Sequence, residues 1–122
     1  MIEELRKYIE TTIYKEYQKN DKGHDINHIK YVTDRCLELS KNYDVDFNVL
    51  YVAAAYHDIG HHINPKEHEI ISARIMYNDL NLRKYLSDKN IEIIKEAIED
   101  HRASSNHIPR SIYGKILAVI LM

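Results

Sequence analysis

A chain of 122 residues makes one domain or part of one. With 44% hydrophobic and 30% charged residues it presents an ordinary polar surface, and a net charge of −2 removes the electrostatic case for nucleic acid or an anionic membrane as partner. The charged start has no signal-peptide core and no stretch is long enough to cross a bilayer. One cysteine excludes an internal disulfide, so the expected location is a reducing cytoplasm.

Apolar residues recur at intervals of three and four rather than two, so the expected fold class is all-α, a helical bundle of about five to six helices. Ile2, Leu5, Ile9, Ile13 and Tyr17 predict an amphipathic helix over 2–19, ended by the turn Asn20-Asp21-Lys22-Gly23. Ile29, Val32, Cys36, Leu39 and Tyr43 predict a second over about 26–43, with Cys36 a buried structural thiol. Asp46 caps a third helix carrying Val49, Leu50, Val52, Ala53, Ala54 and Ala55; apolar nearly all round, it is the central one. Gly60 suits its C′ position, where φ is positive. Asn64-Pro65 opens a fourth helix with Ile70, Ile71, Ala73, Ile75 and Met76 as its stripe.

Residues 81–86 form a short helical turn, and Ser87 caps a fifth helix over 88–101 with Ile91, Ile94, Ala97 and Ile98 inward. A polar loop, 102–109, leads to Ser111 and a last helix through Ile112, Ile116, Leu117, Val119, Ile120, Leu121 and Met122. The sequence reads as a single domain over 1–122. Its uncapped apolar end predicts cover by a partner, such as a second copy of the chain, or a domain incomplete at its C-terminus.

Eight histidines are many for this length, and their placement carries more than their number. His24 and His28 flank the start of the second helix, and share a face if helix has begun by His24. His57-Asp58 ends the third, with His61 and His62 in the turn after it. His68 opens the fourth, and Asp100-His101 ends the fifth. In an antiparallel bundle some of these ends meet, and imidazoles mixed with carboxylates suit a divalent Zn, Mn, Fe, Ni or Co. Such an ion lowers the pKa of a bound water toward about 7, which makes a nucleophile at neutral pH. The plainer reading of a helix-end histidine is a partner for the helix dipole; for His107 and His62 it is the default.

The ordered set His28, His57-Asp58, His68 and His101 resembles the HD superfamily of metal-dependent phosphohydrolases, over roughly residues 20–118. Gly23-His24-Asp25-Ile26-Asn27-His28-Ile29-Lys30-Tyr31-Val32 is similar to the family's opening motif. His57-Asp58 stands where its doublet falls, in an Ala-rich helix continued by Ile59-Gly60. Glu67-His68-Glu69-Ile70-Ile71-Ser72-Ala73 resembles the His-x-x-x-Ser-Ala segment of small bacterial members, and Glu99-Asp100-His101-Arg102 the later histidine segment.

The resemblance implies an all-α hydrolase of a phosphomonoester or phosphodiester, in a nucleotide-like small molecule, with a divalent metal (Mn, Ni, Co, Fe, Zn or Mg) as cofactor. His28, His57 and Asp58 would be metal ligands, with Asp58 able to bridge two ions. His68 and His101 match positions for a second metal or for phosphate. His61 stands where the HD-GYP group often has lysine, and with Asp58 completes the catalytic candidates. Arg102, Arg110 and nearby lysines are candidates to neutralise phosphate.

Gly114-Lys115-Ile116-Leu117-Ala118 matches the start of the family's closing segment, but Val119-Ile120-Leu121-Met122 stands where its distal aspartate belongs, and no Asp or Glu follows Asp100. The alternative is therefore a truncated or degenerate HD domain, catalytically silent, acting as a binding or assembly module. A closed structural metal site with four protein ligands is a third reading.

Overall fold

The computed structural model of the chain describes residues 2–101 and 108–121. Arg102, His107 and Met122, read above as a phosphate contact, a solvated histidine and part of the apolar end, lie outside the described residues.

The first stripe steps by four residues, which overshoots one α-helical turn by about 40° at each step. A wider turn takes that drift back. Helix α1 (Glu3–Tyr8) runs into a π-helical turn (Ile9–Ile13), then α2 (Tyr14–Glu16) and a 3-10 turn (Tyr17–Lys19). Leu5, Ile9, Ile13 and Tyr17 all stay buried.

Asp25 caps α3 (Ile26–Ser40), accepting from the N–H groups of Asn27 and His28. The helix ends at Ser40 rather than 43, because Lys41, Asn42 and Tyr43 turn back through bonds to carbonyls two or three residues before the end. Tyr43 is left half-exposed.

Asp46 caps α4 (Phe47–Tyr56) through the N–H groups of Asn48 and Val49. Every residue from Val49 to Gly60 is buried, which accounts for the all-round apolar pattern. The helix packs on α3 and on α6 (Asp88–Glu99) and touches α5 (His68–Tyr77) and α7 (Ile112–Ile120).

Two expectations are corrected around this core. Gly60 does not have positive φ. It is small because α5 passes close: a Cβ there would stand 2.5 Å from Ile71 Cγ2 and 3.1 Å from the Ser72 nitrogen. In α5, Ser72, Ala73 and Met76 are buried, but Ile70 is 43% exposed. This helix packs mainly on α6, with Ile75 part-buried against the core and Ile71 beside Gly60, so of the expected stripe Ile70 is the residue that faces outward.

Asn64 caps a 3-10 turn (Pro65–Glu67), accepting from the Lys66 N–H, and α5 follows directly. Another 3-10 turn (Leu80–Lys84) leads to Ser87, which caps α6 by accepting from Asn90. Ile91, Ile94, Ala97 and Ile98 face the core. Ser111 caps α7, whose Ile116 and Leu117 point inward while Val119 is 61% exposed. The architecture is all-α, with no strand among the described residues. Among the same residues no helix is long and apolar enough to cross a membrane.

Candidate metal centre

Helix α4 delivers the His57-Asp58 pair to the middle of the bundle. His57 is fully buried, and Asp58 and His101 are each 3% exposed. The N-terminal part of α3 brings His28, the start of α5 brings His68, and the residues after α6 bring His101. All four imidazoles converge on one carboxylate. Asp58 Oδ2 is 3.3 Å from His57 Nε2 and 3.4 Å from His28 Nε2; Oδ1 is 3.2 Å from His68 Nε2 and 3.9 Å from His101 Nε2. Each oxygen thus faces its own pair, giving two triads, His28–His57–Asp58 and Asp58–His68–His101, that share Asp58.

The other ring nitrogens decide what those Nε2 atoms are. His57 Nδ1 donates to the Ala54 carbonyl at 2.6 Å, His68 Nδ1 to that of Pro65 at 2.9 Å, and His101 Nδ1 to that of Ile98. A carbonyl can only accept, so each Nδ1 carries a proton and each neutral ring presents a lone pair at Nε2. The cluster therefore sets acceptor against acceptor. The Nε2 atoms of three tethered rings, His57, His68 and His101, face a carboxylate, and His68 Nε2 and His101 Nε2 stand 3.2 Å apart. His57 Nε2 is buried with no hydrogen-bond partner.

Protonating every ring is not an available remedy. Burial, reinforced by the charge of His57, pushes the His101 pKa down to about 3. Burial also acts to lower His68, but the hydrogen bonds to Asp58 and the Pro65 carbonyl outweigh it and leave that ring raised. For Asp58, burial alone would raise the pKa. Positive charge at the facing nitrogens, first at His57, overcomes it and holds the carboxyl well below the usual range, so Asp58 is an anion. An anion ringed by lone pairs is a donor set that a divalent cation completes.

Three groups hold this arrangement from outside. The Tyr17 hydroxyl donates to the Ala55 carbonyl at 2.6 Å and accepts from the Asp58 N–H at 3.3 Å, so the first helix braces the doublet. Asn20 uses its whole amide: Nδ2 donates to the carbonyls of His24 and Asp58, both at 2.9 Å, and Oδ1 accepts from the His62 N–H at 2.9 Å. The Gly60 N–H donates to Ser72 Oγ at 2.9 Å, tying the turn after Asp58 to the helix that carries His68. Local sequence gave no sign of the first two. Tyr17 reads as one more stripe residue and Asn20 as one more turn residue, because their partners lie about 40 positions away.

Arg110 is not aimed at a phosphate. Its backbone N–H and Nε each donate to Asp100 Oδ2 at 2.9 Å, and its terminal nitrogens reach Asp100 Oδ1, Glu99 and Glu96. It clamps the chain beside His101. His62 is exposed, with its Nδ1 3.1 Å from Asn20 Oδ1.

His61 lies outside the reach of Asp58. Its ring stacks on His24, centroids 3.5 Å apart and planes within 15°, and sits 5.1 Å from the ring of His68. Helix α3 begins after His24, yet that ring still approaches His28, at 6.0 Å. Six rings thus close a circuit around Asp58: His24, His28, His57, His101, His68, His61 and back to His24.

A family whose description is "HD domain" matches the chain over residues 25–120. A solved structure described as that of a predicted HD superfamily hydrolase, from an uncultured Thermotogales bacterium, superposes with a TM-score of 0.76 at 24% identity. The match covers 93% of this chain and 63% of that one, so the chain spans less than two thirds of that protein's length. At this identity the likeness concerns the fold. No curated protein sequence matches the chain.

Proposed function

The chain belongs to the HD domain family, and from that premise we propose that it is a metal-dependent phosphohydrolase acting on a phosphomonoester or phosphodiester of a nucleotide-like small molecule. The observation that carries the reading is the acceptor-against-acceptor arrangement at Asp58, where three tethered imidazoles turn lone pairs toward a buried carboxylate. His28, His57 and Asp58 would hold one divalent ion, and Asp58, His68 and His101 a second or the phosphate beside it. The ion supplies Lewis-acid activation of a water and neutralises charge on the phosphoryl oxygens.

The protein supplies the rest. Backbone carbonyls fix three tautomers, burial keeps His101 neutral, and α4 with its neighbours excludes bulk water from the closed side of Asp58. His61, beside His68 and beyond the reach of Asp58, belongs to the phosphate side. Mn, Ni, Co, Fe, Zn and Mg are the candidate ions, and hydrolysis of a panel of aryl phosphates and phosphodiesters with each tests the reading. His57→Ala should lose the ion of its own triad and, with it, turnover; turnover that survives in that variant, or wild-type protein that takes up no metal, defeats it.

One observation favours a second reading, a catalytically silent HD domain that binds a phosphorylated ligand. Val119, where the family resemblance puts a carboxylate, is apolar and faces solvent. Metal uptake without turnover across the panel would select that reading.

A further inference from the structure

Asp58 is not the only carboxylate held against imidazoles. Asp21 caps the 3-10 turn Lys22–His24, where its Oδ1 accepts from the Gly23 N–H at 3.1 Å and lies 2.7 Å from His24 Nδ1. His61 stacks face to face on His24. One donor atom from each of Asp21, His24 and His61 lies within 4.8 Å of the other two. We propose that these three residues form a separate divalent-cation position at the rim of the Asp58 cluster. The inference rests on the metal-dependent reading of the family site and extends it outward.

An ion pair within a turn would account for Asp21 and His24 alone. It does not account for His61. Among the described residues the His61 ring makes no hydrogen bond, yet it is laid flat on His24. That placement brings a donor atom from each of two imidazoles and a carboxylate within 4.8 Å of one another, the same residue types found twice at Asp58. Asn20 makes the grouping firm, because its Nδ2 donates to the backbone carbonyls of His24 and Asp58 while its Oδ1 accepts from the His62 N–H, so it ties His24 to the backbone on both sides of His61.

The position differs from the inner two in exposure. The Asp21 side chain is 65% exposed, and three protein donors leave room for water or a phosphate oxygen. A cation there reaches the phosphate side of the site from outside, so His61 meets the substrate through a bound ion. Its affinity is lower than that of the inner pair, because flexible, hydrated donors must be ordered on binding.

Equilibrium dialysis against Co2+, with metal counted per chain and d–d absorption recorded, separates the positions. Wild type should bind one weaker equivalent beyond those that Asp58→Asn abolishes, and that weaker equivalent should persist in Asp58→Asn. Asp21→Asn keeps an acceptor for the Gly23 N–H, so the turn stays capped, and His24→Ala removes an imidazole from a partly exposed turn. Each should weaken the outer equivalent at least about tenfold and leave the inner ones bound. Unchanged binding in both variants, or an Asp58→Asn protein that binds no Co2+, overturns the inference. Hydrolysis is not read, so failure of the phosphohydrolase reading is scored by a different assay.

Discussion

Asp58 and Asp21 are the same chemical group beside the same partners, and the fold treats them differently. Asp58 is buried, faces four imidazoles, and three of those rings are tethered through Nδ1 to backbone carbonyls. Asp21 is exposed, faces two, and is held by its own turn. Carboxylate and imidazole in reach of each other are therefore not what makes a strong centre. Strength comes from removing water and fixing the ring orientation beforehand, so that binding an ion orders little and relieves much.

The largest effect that could break this contrast lies at Asp58 itself. Asp58→Asn takes away the one anion that both inner triads share, so both positions should weaken together, by more than about 100-fold, beyond what the loss of a supporting group costs. Dialysis of the variant should show no inner equivalent at a metal level that saturates wild type. Loss of one triad with retention of the other would mean that Asp58 is a ligand of a single ion.

Metal removal comes next. An ion held only by the folded state at 100 times its Kd adds about 2.7 kcal/mol, which for a chain of this size is roughly 10 °C in Tm. Chelation should lower the melting temperature of wild type and of Asp21→Asn by about that amount, and that of Asp58→Asn hardly at all. An Asp21→Asn protein that had lost its response would make the rim, not the core, the stabilising centre.

How much of this was legible in the sequence follows from the range of the interactions. Helix-end histidines announce themselves locally, so the spacing of His28, His57-Asp58, His68 and His101 was enough to anticipate that they might meet. The caps at Asp46, Ser87 and Ser111 were legible for the same reason, each acting within three residues. Tyr17 and Asn20 were not, since nothing near them in the chain foretells a bond to Ala55 or Asp58. The rim position was half legible: Asp21 and His24 stand three apart in a turn, but only the tertiary fold lays His61 upon them.

Gly60 shows the same limit and gives a third test. Its local context, just after an apolar helix, suggested a cap with positive φ, whereas the constraint is contact with Ile71 and Ser72. If a cap were its role, alanine would cost strain in that turn alone. Close packing predicts instead that Gly60→Ala pushes α5, and His68 with it, away from Asp58. The overpacking costs about 1–3 kcal/mol in a urea titration, and inner-metal affinity falls with it. Restored metal affinity in Gly60→Ala combined with Ile71→Ala, which removes the clashing Cγ2, would assign the effect to that contact.

The smallest test asks whether burial does on its own what the contrast of the two aspartates attributes to it. Cys36 lies on α3, the helix of His28, fully buried in the apolar core, and burial pushes its thiol up to about 12. An unfolded thiol ionises near 8.5, as ordinary cysteine does. A folded pKa above the unfolded one means that the thiol's contribution is fully present below about pH 8.5 and is lost as pH rises toward 12. By pH 9.5 the unfolded state should have gained about 1.4 kcal/mol from this ionisation, beside a smaller gain from tyrosines whose pKa burial raises. Urea midpoints between pH 7.5 and 9.5 should therefore fall more steeply in wild type than in Cys36→Ala, whatever the absolute stability of that variant. Parallel slopes would mean that the interior around α3 admits water, and the low-polarity surroundings invoked for Asp58, one helix away, would lose their support.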